Sequence, residues 1–255
     1  MKIQFLGAHH FESKDLRFVC FVIDDVLAID AGSLASSLTY EAQENLKAIL
    51  LTHSHYDHVK DVPAVAMNHY VNGKTIHIYT THPVYETLVT HFMNGQLYPN
   101  FTEWPEESPT LKVTFIEAAK AERIDGYEVL PLLVNHEATV GFQVTSSDGK
   151  VMFYTSDTGP DLARCWEVVQ PQLLIIDVTM PNSEQDFALR LGHLTPKLLE
   201  EELTTFKGMK GFLPRVIAVH MNPAKEKEIE KEIREVAKRL DASIVLAHEG
   251  MQVSF

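Results

Sequence analysis

AILLTHSHYDH, residues 48–58, runs from five apolar or β-prone residues directly into three histidines and an aspartate. Imidazole and carboxylate groups lose their hydration at the end of a buried strand, which is costly unless something binds their lone pairs. Residues two apart in extended backbone point to the same side, so His53 and His55 can converge on one ion. Asp57 and His58 follow once the chain has turned and can face a second ion beside the first. Four such residues within six positions are a strong signal, whereas scattered core or surface histidines would rarely coincide in this way.

Two metal ions need further ligands, delivered where strands bring their loops to one sheet edge. His136 after YEVLPLLVN, Asp157 after VMFYTS and His220 after RVIAV each stand at or just beyond the end of an apolar run. Taken singly, each is an ordinary polar strand end; taken together, their shared position points to a site. Asp157 is the natural bridge, because a carboxylate has two oxygens and a charge to share. Imidazole and carboxylate donors without thiolate suit zinc, with manganese or iron as alternatives.

The rest of the chain is consistent with a soluble protein. With 255 residues, 45% of them hydrophobic, it can bury a sizeable core, and no repeat, linker or low-complexity segment divides it, so residues 1–255 read as a single domain. Thirty-five acidic against 22 basic residues give a formal charge of −13, a field that repels large nucleic acids and anionic membranes. The two cysteines, Cys20 and Cys165, have neither disulfide nor metal-site spacing and read as buried, inert thiols. MKIQFLG reads as a strand rather than a signal peptide and no apolar run reaches membrane-spanning length, so a cytoplasmic location is expected.

Short β-prone runs recur: KIQFL, FVCFVI, VLAID, AILLT, TIHIY, KVTFI, YEVLPLLV, GFQVTS, VMFYTS, LLIIDV, RVIAV and SIVLA. Asp148-Gly149 between two of them signals a hairpin. PVYETLVTHFM, TPKLLEEELTTF and AKEKEIEKEIREVAKRL read as helices, the last with Ile229, Ile233, Val236, Ala237 and Leu240 as its apolar stripe. Strands and helices mixed throughout indicate a layered α/β architecture with more than one sheet.

In this order, His53, His55, Asp57, His58, His136, Asp157 and His220 resemble the binuclear site of the metallo-β-lactamase superfamily. The resemblance implies an αββα four-layer sandwich, two mixed β-sheets flanked by helices. It also implies that His53, His55 and His136 hold one metal, that Asp57, His58 and His220 hold the other, and that Asp157 bridges. His193 in GHLT resembles the additional histidine that phosphodiesterase branches, ribonuclease Z among them, place near the leaving oxygen. It also reads as a loop residue before a helix capped by Thr195, and the two readings are compatible. The blocks DAGSL, THSHYDHVKDVPAVAMN, THFMNGQLYPNFT, YTSDTGPD with Trp166, and GHLTPKLLEEEL are similar to those of class II 3′,5′-cyclic-nucleotide phosphodiesterases. Two positions depart from that pattern: Tyr56 replaces a leucine, and Asp61 stands where a glycine is usual.

By that resemblance the chain is a metal-dependent hydrolase that converts cyclic AMP or cyclic GMP to the 5′-monophosphate. Paired cations lower the pKa of a shared water and neutralise charge growing on phosphorus. Asp57 orients or deprotonates that water, and His193 serves the departing ribose oxygen. The expected partner is a small phosphodiester, and the resemblance allows a homodimer. Alternatives are a ribonuclease Z-like or other ester hydrolase and a non-hydrolytic di-iron oxygen-binding or sensor protein. Asp30 and Gly32 in AIDAG are expected to support the site, with Gly32 permitting a tight turn. Phe92, Tyr98, Phe101 and Trp104 are candidates for stacking on a base or for core packing. His9 and His10 read as ordinary loop residues, with reaching the site as the alternative, and His69, His77, His82, His91 and His248 as structural.

Overall fold

The computed structural model describes residues 1–255, which divide into two compact units. The first comprises Met1–Gly7, Arg17–Glu117 and His248–Ser254. Its strands are β1 (Lys2–Gly7), β2 (Cys20–Ile23), β3 (Leu27–Ile29), β4 (Ala48–Leu50), β5 (Ile76–Thr80), β6 (Leu111–Phe115) and, from the far end of the chain, β14 (Gln252–Ser254). They form one mixed sheet in the order β14-β1-β2-β3-β4-β5-β6, antiparallel up to β3 and parallel from there. The helices α1 (Leu34–Ser37), α2 (Tyr40–Asn45), α3 (Tyr56–Val59), α4 (Val62–Val71) and α5 (His82–Thr87) belong to this unit. Leu34, Val62, Val65 and Ala66 share a buried apolar cluster with Val22, Ala28 and Ile49 of the sheet. Burying these side chains stabilises the unit by about 25 cal/mol for each Å² of apolar surface removed from water.

The second unit comprises Ala8–Leu16, Ala118–Ala247 and Phe255. Its strands are β7 (Glu122–Ile124), β8 (Tyr127–Leu133), β9 (Val140–Thr145), β10 (Val151–Tyr154), β11 (Leu173–Asp177), β12 (Arg215–Val219) and β13 (Ile244–Leu246), and its helices α6 (Ala163–Val168), α7 (Gln185–Leu191), α8 (Pro196–Lys210) and α9 (Glu226–Leu240). The sheet order is β13-β12-β11-β10-β9-β8-β7, parallel from β13 to β10 and antiparallel beyond. Central β11, LLIID, is buried along its whole length, as expected of a parallel strand covered on both faces. The Asp148-Gly149 hairpin forms, with Gly149 at φ +80°.

Strand direction positions the chemistry. In the first sheet, parallel β3 and β4 end at Ile29 and Leu50 and deliver Asp30 and the Thr52–His58 loop to one edge. In the second, β8, β10, β11 and β12 all run the same way, so His136, Asp157 and His220 after them, and Asp177 closing β11, emerge at a common edge. Three of these turning points take left-handed backbone without glycine: Asp30 at φ 59°, Ser156 at 59° and His220 at 67°. Such conformations are uncommon outside glycine and concentrate at functional sites.

Every strand read from the sequence is present, together with two three-residue strands, β7 and β14, that it did not suggest. The helix expected over 83–93 is split, α5 being followed by a π-helical turn, Leu88–Phe92. No helix is long and apolar enough to cross a membrane. Both cysteines are free and buried, and burial pushes the Cys165 thiol up to about 11, with the nearby Glu202 carboxylate adding to the effect.

Candidate metal centre

In the first unit, four ligand candidates cluster after β4. His53 and His58 are buried, Asp57 is partly buried and His55 is exposed at the N-cap of α3. The His53 ring lies 4.6 Å from that of His55 and 4.2 Å from that of His58. One fully buried carboxylate, Asp30, fixes two of them. Its Oδ2 accepts from His58 Nδ1 at 2.7 Å. Its Oδ1 accepts from the Thr52 hydroxyl at 2.9 Å, and that hydroxyl oxygen in turn accepts from His53 Nδ1 at 3.0 Å. Both rings therefore carry their proton on Nδ1, and Nε2 is the nitrogen that would bind an ion.

The metal loop is also held from beneath. Ala31 N–H donates to the His58 carbonyl at 2.7 Å, and Asp61 N–H donates to the Ala31 carbonyl at 2.8 Å. Gly32 does not adopt positive φ, contrary to the tight turn expected from the sequence; the left-handed residue is Asp30. What Gly32 supplies is space, because a Cβ there would stand 1.9 Å from the Asp57 carbonyl oxygen. Asp61 has a structural use: its Oδ2 accepts from Ala35 N–H at 2.9 Å and Ser36 N–H at 3.2 Å, satisfying donors in the first turn of α1.

The second unit repeats the device. Asp177, fully buried at the end of β11, accepts from His193 Nδ1 through Oδ2 at 2.7 Å. Its Oδ1 accepts from the Thr179 hydroxyl at 2.5 Å, which accepts from His220 Nδ1 at 2.7 Å. His136 Nδ1 donates to the Gly192 carbonyl at 3.1 Å, and burial above all holds this imidazole below the usual histidine range, in the neutral form that binds metals. Gly192, at φ 71°, ends α7 and leaves room for that ring. The His193 ring stands 5.0 Å from His136 and 5.1 Å from His220, and Asp177, His193 and His220 have potential ligand atoms within 4.8 Å of one another.

The donor set fits divalent cations. Two ligands bound at 2.0–2.2 Å to one tetrahedral ion stand roughly 3.3–3.6 Å apart. His220 Nε2 and Asp157 Oδ2 are 3.3 Å apart, and His58 Nε2 and Asp57 Oδ2 are 3.6 Å apart. Hard oxygen and imidazole nitrogen donors, with His53, His58, His136 and His220 oriented through Nδ1, suit zinc, manganese or iron alike.

A model of the β-lactamase superfamily domain matches residues 22–221. The chain belongs to the β-lactamase superfamily. Among solved structures, unliganded yeast PDE1 is similar with a TM-score of 0.84 at 17% identity, over 100% of this chain and 99% of that one. The metallo-β-lactamase fold protein YhfI of Bacillus subtilis gives 0.75 at 18% identity, over 99% and 98% of the two chains. The short form of human tRNase Z gives 0.71 at 17% identity, over 100% and 99%. No curated protein sequence matches. The metallo-β-lactamase fold expected from the sequence is thus the observed one, and its histidine and aspartate clusters are compatible with divalent metals.

Asp177, Thr52 and Thr179 escaped sequence reading, although LLIID ends in aspartate just as VLAID does. Thr195 caps α8 by accepting from Leu198 N–H, so the capping loop and the Asp177-bound His193 coexist. His9 is a buried loop residue, its Nε2 3.4 Å from Glu226 Oε2, whereas the His10 ring lies 5.3 Å from that of His220. Of the aromatic candidates, Phe101 is fully buried core and so is not presented to a ligand, and half-buried Tyr98 packs 6.5 Å from it.

Proposed function

We propose that this β-lactamase superfamily chain is a binuclear metal-dependent phosphodiesterase that opens 3′,5′-cyclic nucleotides to 5′-monophosphates. In this reading His53, His55 and His136 hold one ion, Asp57, His58 and His220 hold the other, and Asp157 bridges. The spacing of the Asp157–His220 and Asp57–His58 pairs as ligands of single ions is the observation that carries the metal-dependent part of this reading. The likeness to yeast PDE1 over both whole chains supports the phosphodiester class.

When bound, the cations would supply an activated water and neutralise charge on phosphorus. The side chains do the rest. Asp57 accepts the proton of the attacking water. His193 gives a proton to the departing ribose oxygen, and Asp177, 2.7 Å behind it, holds the ring in place and offsets the positive charge it carries. A small monoanion tolerates a chain of net charge −13, whereas a tRNA would feel the wider repulsion, which weighs against a ribonuclease Z activity despite the likeness to human tRNase Z.

Incubation of purified protein with cyclic AMP and cyclic GMP, with zinc or manganese, tests the reading. Metal-dependent release of 5′-monophosphate is expected. Hydrolysis confined to RNA 3′ ends, lactones or thioesters would overturn it.

A further inference from the structure

Tyr56 interrupts the run of ligand candidates, between His55 and Asp57 at the start of α3, where the similar phosphodiesterase blocks carry leucine. Its side chain is 57% exposed, a large aromatic surface left in water beside the candidate metal centre. The ring is nevertheless not loose. Phe92 lies nearly parallel to it, with centroids 6.2 Å apart and planes at 23°, and Phe18 meets it edge-on at 6.1 Å and 89°. Lys60 Nζ, 5.3 Å from the Phe18 ring centroid, supports that ring in turn.

Phe92 is the last residue of the π-helical turn, which closes through Met93 N–H to the Leu88 carbonyl at 2.8 Å. A π turn is rare and is frequently found at functional sites. Here it ends in the ring that backs Tyr56. Two buttressing rings fix the orientation of Tyr56 before anything binds, so a planar ligand would lose little freedom to it on docking. Stacking on an aromatic face is tolerant of base identity because every base presents a π surface.

Resting on the phosphodiesterase reading above, we propose that Tyr56, backed by Phe92 and Phe18, is the stacking residue for the base of a nucleotide substrate. It sets the substrate class, nucleotide rather than baseless phosphodiester, and not the choice between adenine and guanine. Leucine at the same position offers apolar contact without a π face.

Calorimetric binding of 5′-AMP and of ribose 5-phosphate to the zinc-loaded protein tests this without turnover. The wild-type chain is expected to bind 5′-AMP about tenfold more tightly than ribose 5-phosphate. Tyr56→Leu should remove most of that advantage while changing ribose 5-phosphate affinity by under about twofold, and Tyr56→Phe should keep it. Equal wild-type affinities, or an advantage that survives Tyr56→Leu, would overturn the proposal. Cyclic AMP turnover measured alongside separates the two readings: a Tyr56-dependent preference for 5′-AMP without cyclic AMP hydrolysis supports the stacking residue and removes only the assigned reaction.

Discussion

Each unit places one buried carboxylate behind two histidines, Asp30 behind His53 and His58, and Asp177 behind His193 and His220. Under the proposed mechanism Asp177→Asn disturbs two functions at once. It should lower kcat by about 10²-fold through a misdirected His193, and metal affinity by roughly 10–100-fold through His220. Steady-state kinetics at saturating metal and a competition titration with a chelator read these separately; wild-type metal affinity would show that His220 does not depend on Asp177. His193→Ala should keep its metals and lose about 10²–10⁴ in kcat on substrates with poor leaving groups, whereas Asp157→Ala should lose metal. Equal metal loss in both variants would reassign His193. Gly32→Ala should displace the loop carrying Asp57, so metal content and thermal midpoint both fall; an alanine chain with full metal content would disprove the steric argument. The ligand candidates were legible because histidine and aspartate crowd strand ends in the sequence. Their anchors were not, since an aspartate closing an apolar strand is commonplace, and Asp177 and Thr179 meet histidines 16 and 41 residues away.

At the scale of elements, the strands were readable because long apolar runs survive any local ambiguity. β7 and β14 were not, as three residues carry no period, and the same holds for α1 and α3 with four residues each. The amphipathic α9 follows its sequence pattern, burying Ile229, Ile233 and Val236. Ile233→Ala should cost about 2–4 kcal/mol in urea unfolding, while Glu or Lys substitutions on its outer face stay within about 0.5 kcal/mol. A polar junction between α6 and α8 was invisible from the sequence. The buried Glu202 carboxylate accepts from Trp166 Nε1 at 2.7 Å and from Asp161 N–H at 2.7 Å. Glu202→Ala leaves both donors without that acceptor and should destabilise the chain by about 1–3 kcal/mol. An unchanged urea midpoint would show that water replaces the carboxylate there.

Across the whole molecule, one buried histidine makes stability fall in acid. His69 is buried in α4, its Nδ1 donating to the Val65 carbonyl, and burial above all lowers its pKa from the ordinary 6.5. The unfolded chain takes up this proton at higher pH than the folded one. The stability that neutral His69 contributes is thus present above about pH 6.5 and is lost as pH falls toward the folded value. His69→Gln should flatten part of that decline between about pH 7 and 5 in urea titrations of the metal-free chain. An identical acid slope would place the sensitivity elsewhere.

The two compact units each contain one tryptophan, Trp104 in the first at 49% exposure and Trp166 in the second fully enclosed. Fluorescence can therefore address either sheet on its own. In a Trp166→Phe chain the emission comes from a solvated indole at long wavelength, and in a Trp104→Phe chain from an enclosed one at short wavelength, so the two variants report whether both sheets melt in a single cooperative event.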